Sequence, residues 1–314
     1  MNKAQPPKSQ LKLYALDKIF NFCKNLFEQN RLPNKILFSG QKGIGKSTLC
    51  YHISNFILSK NEEYPYNIKE KEINLNNKTY NLITNNIHPN FFLIDIKAEK
   101  KNIDVSQVRE MISYTNKSSF NSKQKIVLID NIEYMNINSV NSLLKIIEEP
   151  NEQITFFLVH NIQKNIFSTL KSRCIQLKVF LDEKQKIEVI NSLTEDKFFE
   201  KINSDFKNYY ISPGQYIEFY NYCKNNNIDF QNITIESFLK DLILNYEKNK
   251  DIFFKDNLIH FLEYFFAKKI KNNDFKIKIH DNYKFFTKKL YQTTKYNLDL
   301  ESFVIELKSK LINE

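Results

Sequence analysis

The residues of this 314-residue chain best suited to chemistry lie in one run, Gly40-Gln41-Lys42-Gly43-Ile44-Gly45-Lys46-Ser47-Thr48. Three of the chain's four glycines fall inside it. Clustered glycine marks a backbone that must turn left-handed or let a ligand come close. The spacing fits G-x-x-x-x-G-K-[ST], a loop whose N–H groups curl around phosphate oxygens. Lys46 would reach the β- and γ-phosphates and the Ser47 hydroxyl would sit on Mg²⁺, with Gly40, Gly43, Gly45 and Thr48 completing the cradle. The expected ligand is therefore ATP or ADP with Mg²⁺. A glycine-rich turn before an ordinary helix is the plainer reading, but the flanks favour the loop. Lys35–Ser39 reads as a short buried strand, and Leu49, Ile53, Phe56 and Ile57 as one face of a helix.

A second piece of chemistry follows the apolar run Ile126-Val127-Leu128-Ile129, which ends in Asp130. P-loop ATPases present in this way the carboxylate that helps to hold Mg²⁺. They commonly follow it with a glutamate that activates water, and here that residue is Asn131, which cannot take up a proton. Glu133, two residues on, is either a substitute base or a surface or structural carboxylate.

These residues need strands and helices to position them. Strand candidates recur at Phe91–Ile96, Ile126–Asp130, Ile154–Val159 and Ile175–Val179, with helical patterns between them. With the strand before the glycine loop they predict a parallel five-stranded sheet with helices on both faces over residues 1–180. Val140, Leu143, Leu144 and Ile147 make one helix face that Pro150 ends. Residues 60–88 are lysine- and asparagine-rich with little periodicity and read as a polar surface insertion. Strand signals stop after Asp182. A small helical lid is expected over 181–227, around Ser212-Pro213-Gly214, and an all-α domain over 228–314. The aromatics of that last region, such as Phe253-Phe254, Phe261, Tyr264-Phe265-Phe266 and Phe285-Phe286, are read as core or subunit-interface packing before a base-stacking surface.

Composition narrows the class. No apolar run approaches the ~18 residues of a membrane span, and the first residues lack the apolar core of a signal peptide. Cys23, Cys50, Cys174 and Cys223 are far apart, which argues against zinc or disulfides and for the cytoplasm. The five histidines show no metal-ligand spacing. A net charge of +10 is compatible with a nucleic-acid partner. The chain uses lysine wherever a generic cation serves and has only three arginines, Arg31, Arg109 and Arg173. An arginine here is expected where its planar, always-charged fork is needed.

Leu128-Ile129-Asp130, then Asn141-Ser142-Leu143-Leu144-Lys145-Ile146-Ile147-Glu148-Glu149-Pro150, then Ser172-Arg173-Cys174 carry a family resemblance. The chain resembles bacterial clamp-loader subunits of the AAA+ class, most of all the delta-prime type of DNA polymerase III. Arg31-Leu32-Pro33-Asn34, His88-Pro89, Ile103-Asp104-Val105, Met135-Asn136, Ser212-Pro213-Gly214 and Asn297-Leu298-Asp299 agree with it. The resemblance implies an AAA+ nucleotide-binding domain, a small helical lid and a helical collar in a five-subunit ring with delta and gamma/tau types. It implies a role in loading a sliding clamp on primed DNA. The arginine of the Ser-Arg-Cys triplet, Arg173, would reach the γ-phosphate of ATP held by a neighbouring subunit. Asn161 or His160, closing the fourth strand, matches the nucleotide-sensing position. The motor subunits of such loaders resemble this chain in the P-loop but have a glutamate after the strand-end aspartate, four zinc-binding cysteines in the stretch matching 60–88, and a lid arginine near Gln215. This chain has none of the three. The expectation is a stator that binds nucleotide and hydrolyses it poorly. The rivals are an ATP-hydrolysing motor subunit of the gamma/tau type or another P-loop ATPase using Glu133, and an adaptor whose P-loop stays empty.

Overall fold

A computed structural model describes residues 5–97, 100–120, 124–148, 153–195, 197–207, 211–250, 252–272, 276–296 and 298–311. Glu149, Pro150 and Asn297 of the sequence motifs lie outside them. The chain forms two compact units: Met1–Leu193 with Ser212–Gln215, and Thr194–Ile211 with Tyr216–Glu314. The stretch 181–227, read as a lid in its own right, is thus shared between them.

The first unit is built on a five-stranded parallel sheet of β1 (Lys35–Gly40), β2 (Phe91–Ile94), β3 (Lys125–Ile129), β4 (Ile154–Asn161) and β5 (Ile175–Lys178). Its order is β2-β3-β4-β1-β5. Central strands of such a sheet are buried on both faces, which is why they read as unbroken apolar runs. Ile36, Phe38, Ile126, Leu128, Phe157 and Val159 pack on one face with Phe20 of α1 (Asp17–Glu28) and Leu49 and Ile53 of α2 (Lys46–Leu58). Their alternates Leu37, Val127, Ile129, Phe156 and Leu158 pack on the other face with Val108 and Met111 of α4 (Val105–Thr115) and with Val140 and Leu143 of α5 (Ile137–Glu148). The expected three-layer arrangement is what forms. α6 (Ser168–Lys171) leads into β5, the exposed edge strand, and α7 (Glu183–Leu193) follows it.

The insertion at 60–88 corrects its sequence reading. It contains α3 (Lys78–Thr84), buries Tyr66, Ile73 and Ile83, and is organised around the fully buried Asn77. Asn77 Oδ1 accepts from Asn55 Nδ2 at 2.9 Å and from the Tyr80 N–H at 2.6 Å, while its Nδ2 donates to the Tyr64 carbonyl at 2.6 Å. Asparagine appears here as a structural bond-maker, so a polar composition conceals an ordered segment.

The second unit is helical: α8 (Phe198–Lys201), the body of α9 (Pro213–Asn225), α10 (Ile235–Asn249), α11 (Ile252–Asn272), α12 (Lys276–Tyr296) and α13 (Leu300–Leu311). Its aromatics form a core, as expected. Phe206 stacks on Phe219 with centroids 4.9 Å apart, and Phe238 meets Phe261 at 4.8 Å. Phe254 and Phe286 are fully buried. Among the described residues no helix is long and apolar enough to cross a membrane, and no cluster of His, Cys, Asp and Glu could hold a metal ion.

Candidate nucleotide-binding cleft

The carboxyl ends of β1, β3 and β4 converge on one crevice, the place where open α/β sheets bind ligands. β1 delivers the glycine loop, β3 delivers Asp130, and the register sets Gly40 opposite Asn161 of β4. The resulting cleft encloses about 210 Å³. Gly43, Gly45, Lys46, Ser47, Thr48, Asp130 and Asn161, all singled out by the sequence, line it together. Asn131 and Glu133 line it as well.

The glycines serve two different needs. Gly43 and Gly45 have φ of +81° and +90°, the left-handed region that favours glycine. Gly40 is needed for space, since a Cβ there would lie 2.4 Å from the Val179 carbonyl oxygen. Gly45 caps α2 without a side-chain hydrogen bond, leaving first-turn N–H groups for an anion.

Lys46 is buried, and its ammonium donates to the loop's own carbonyls, Gly40 O at 2.9 Å and Gln41 O at 2.6 Å. Burial pulls its pKa down to about 8, against the opposing charges of Asp130 and Glu133. Asp130 is pushed up to about 6, first by burial, while hydrogen bonds from the Ser47 hydroxyl and the Asn131 N–H hold it down. A desolvated cation and a carboxylate reluctant to ionise are complementary to what a Mg²⁺-nucleotide brings: phosphate oxygens for Lys46, and a divalent ion for the Ser47–Asp130 pair. The donor set fits that ligand.

Asn131 takes a left-handed conformation, φ 55° and ψ 44°. Its side-chain Nδ2 donates to Asp95 Oδ1 at 2.8 Å. Glu133, left open between substitute base and structural carboxylate, accepts from the Asn161 N–H at 3.2 Å. Asn161 uses its own Oδ1 to receive the Gln163 N–H at 3.2 Å. His160 does not line the cleft: its Nε2 donates to the Lys164 carbonyl at 2.8 Å and its Nδ1 lies 3.3 Å from the Ser39 hydroxyl. Of the two sensing candidates, Asn161 is the one at the cleft.

Arg173 is not among the residues that line the cleft. It follows α6 on the exposed side of the first unit, where Nη2 pairs with Glu148 at 2.8 Å and Nη1 donates to the Thr169 carbonyl at 2.9 Å.

Two features named in the sequence were not assigned there to the loop and cleft. Asp95 continues β2 just as Asp130 continues β3, and the pairing of those strands brings the two together. Adjacent strands that both end in aspartate were the available signal. The other is the Ser212–Gly214 turn, which meets Gly43 backbone to backbone. Its signal was that Gly214 is the one glycine outside the loop.

The family profile described as "DNA polymerase III, delta subunit" matches residues 15–183. DNA polymerase III subunit delta′ of Pseudomonas aeruginosa is 30% identical over 140 residues, 45% of this chain and 41% of the relative. DNA polymerase III subunit gamma of Buchnera aphidicola subsp. Schizaphis graminum is 27% identical over 237 residues, 73% of this chain and 62% of the relative. The match therefore spans about two fifths of the first relative's length and less than two thirds of the second's. Among solved structures, a gamma subunit-related protein of DNA polymerase III from Thermotoga maritima aligns with a TM-score of 0.49 at 16% identity, over 93% of this chain and 97% of the other.

Proposed function

The chain belongs to the DNA polymerase III delta-subunit family, and on that premise we propose that it is a clamp-loader subunit of the delta-prime type, acting as a stator. In this reading it binds ATP or ADP with Mg²⁺ through Lys46, Ser47 and Asp130. It assembles with delta- and gamma/tau-type subunits in a five-membered ring that loads the sliding clamp on primed DNA. Arg173 serves the ATP of a neighbouring motor subunit.

One observation carries the proposal: the cleft lined by Lys46, Ser47 and Asp130 has Asn131 where P-loop ATPases commonly place the general base, its amide donating to Asp95. An amide accepts a hydrogen bond but takes no proton from water. The remaining residues then bind and orient. The loop N–H groups and Lys46 receive phosphate, Ser47 and Asp130 hold the metal, and Asn161 closes the fourth strand beside them. Calorimetry on the full chain tests the first half. Magnesium-nucleotide should bind the wild type and not Lys46→Ala; no heat at millimolar nucleotide would favour an adaptor with an unused loop.

A second reading has a specific observation behind it. Glu133 lines the same cleft, so a hydrolysing subunit could use it as base. Enzyme-like phosphate release that disappears in Glu133→Gln would favour that reading.

A further inference from the structure

The phosphate loop is held from outside by a second turn. Gly214 N–H donates to Gly43 O at 2.9 Å. Both partners must be glycine for this approach. A Cβ on Gly214 would lie 2.8 Å from Gly43 Cα and 2.9 Å from its oxygen, and a Cβ on Gly43 would lie 2.4 Å from Ser212 Oγ. Neither neighbour atom on Gly43 is a flexible side-chain end, so the backbones themselves would have to part.

The turn is built to offer that one donor. Ser212 is fully buried, its N–H donating to Gln215 Oε1 at 3.0 Å and its hydroxyl receiving the Gln215 N–H at 3.4 Å. Pro213, the first residue of α9, has no N–H to give. Gly214 therefore carries the first N–H of the helix, one that has no partner inside it. The carbonyl of Gly43 takes that donor.

This contact has a consequence one bond further on. In a planar trans peptide the C=O of Gly43 and the N–H of Ile44 point in opposite directions. Fixing the carbonyl toward Gly214 fixes the Ile44 N–H toward the other side of the loop. We infer that the Ser212–Gly214 turn is a brace, whose hold on Gly43 keeps the phosphate loop's N–H groups pre-set around an anion. The inference rests on the nucleotide reading for its ligand, the phosphate chain of a nucleotide. It makes Ser212 and Gly214 positioning residues that touch the loop and not the ligand.

The experiment uses the full chain as wild type, Gly214→Ala and Ser212→Ala, and makes two measurements. Hydrogen exchange without nucleotide should be faster in both variants across the loop peptide 41–48 and unchanged across β3 and β4. Titration with Mg-ADP, and with inorganic tripolyphosphate as a probe of the loop alone, should show affinity reduced about tenfold in Gly214→Ala, the scale of a lost hydrogen bond plus misalignment, and less in Ser212→Ala. Should Gly214→Ala not fold, Ser212→Ala carries both measurements, since it adds no atom. Unchanged loop exchange in the folded variants, or faster exchange with unchanged affinity, would overturn the brace. A wild type that binds neither probe overturns the nucleotide reading instead, and loop exchange alone then decides whether the brace exists.

Discussion

At the scale of single residues the cleft is governed by two displaced ionisations. Burial lowers Lys46 to about 8 and raises Asp130 to about 6. Below pH 6 Asp130 takes a proton in the free protein, so binding a divalent ion must expel it; above pH 8 Lys46 is increasingly neutral and offers phosphate less charge. Mg-ADP affinity should therefore peak between about pH 6 and 8. Titrations across pH on wild type and Asp130→Asn check it: the acid limb should vanish in the variant, and a limb that survives belongs to the nucleotide's own phosphate. Asn131 makes a separate prediction. Steady-state phosphate release by the protein alone should be slower than that of a competent site by roughly two to four orders of magnitude, the usual contribution of general acid–base catalysis. Asn131→Glu should raise it only modestly, because the new carboxylate would face Asp95, the present partner of the amide. A rise to motor-like rates would show that the base was the single missing part.

At the scale of elements, what could be read in the sequence follows from how strongly each element must advertise itself. Strands buried on both faces have no choice but a run such as Ile126–Ile129, and a loop that wraps phosphate has no choice but glycine. Those elements, and the residues they deliver, were legible. The segment 60–88 was not, because its fold rests on hydrogen bonds between asparagines, and asparagine signals loops equally well. Replacing Asn77 removes the cap of α3 and leaves Asn55 and the Tyr64 carbonyl without their partner bonds. Asn77→Ala should cost about 2–3 kcal/mol, the scale of a lost cap plus buried groups left without partners. Chemical denaturation measures it, and a loss below about 0.5 kcal/mol would show that the insertion contributes little to the stability of the first unit. The contacts of Asp95 with Asn131 and of Gly214 with Gly43 were hidden for another reason: both join residues far apart in sequence, and only the strand order and the chain's return to the loop bring them together.

At the scale of the whole molecule, the chain combines a nucleotide-type α/β unit with a helical unit in which most aromatic residues pack into its own core, Phe285, Tyr291 and Tyr296 staying exposed. Its rare arginines sharpen the proposal. Arg173 lies outside its own cleft, exposed and held by Glu148 and the Thr169 carbonyl; Arg31 and Arg109 are exposed as well. An exposed ion pair of this kind is worth little to stability, so folding alone gives a weak reason for an arginine. A planar fork offered outward suits a phosphate presented by another subunit. The most direct test is a reconstituted clamp loader carrying Arg173→Ala, with Arg173→Lys beside it. The complex should stay intact and nucleotide binding by this subunit should be unchanged. DNA-stimulated ATP hydrolysis by the adjoining motor subunit should fall, by up to the ~10³–10⁵ a trans-acting arginine supplies where it is the main charge stabiliser, with lysine a poor substitute. Wild-type hydrolysis and clamp loading in the Arg173→Ala complex would contradict the trans-acting role and leave Arg173 a surface partner of Glu148.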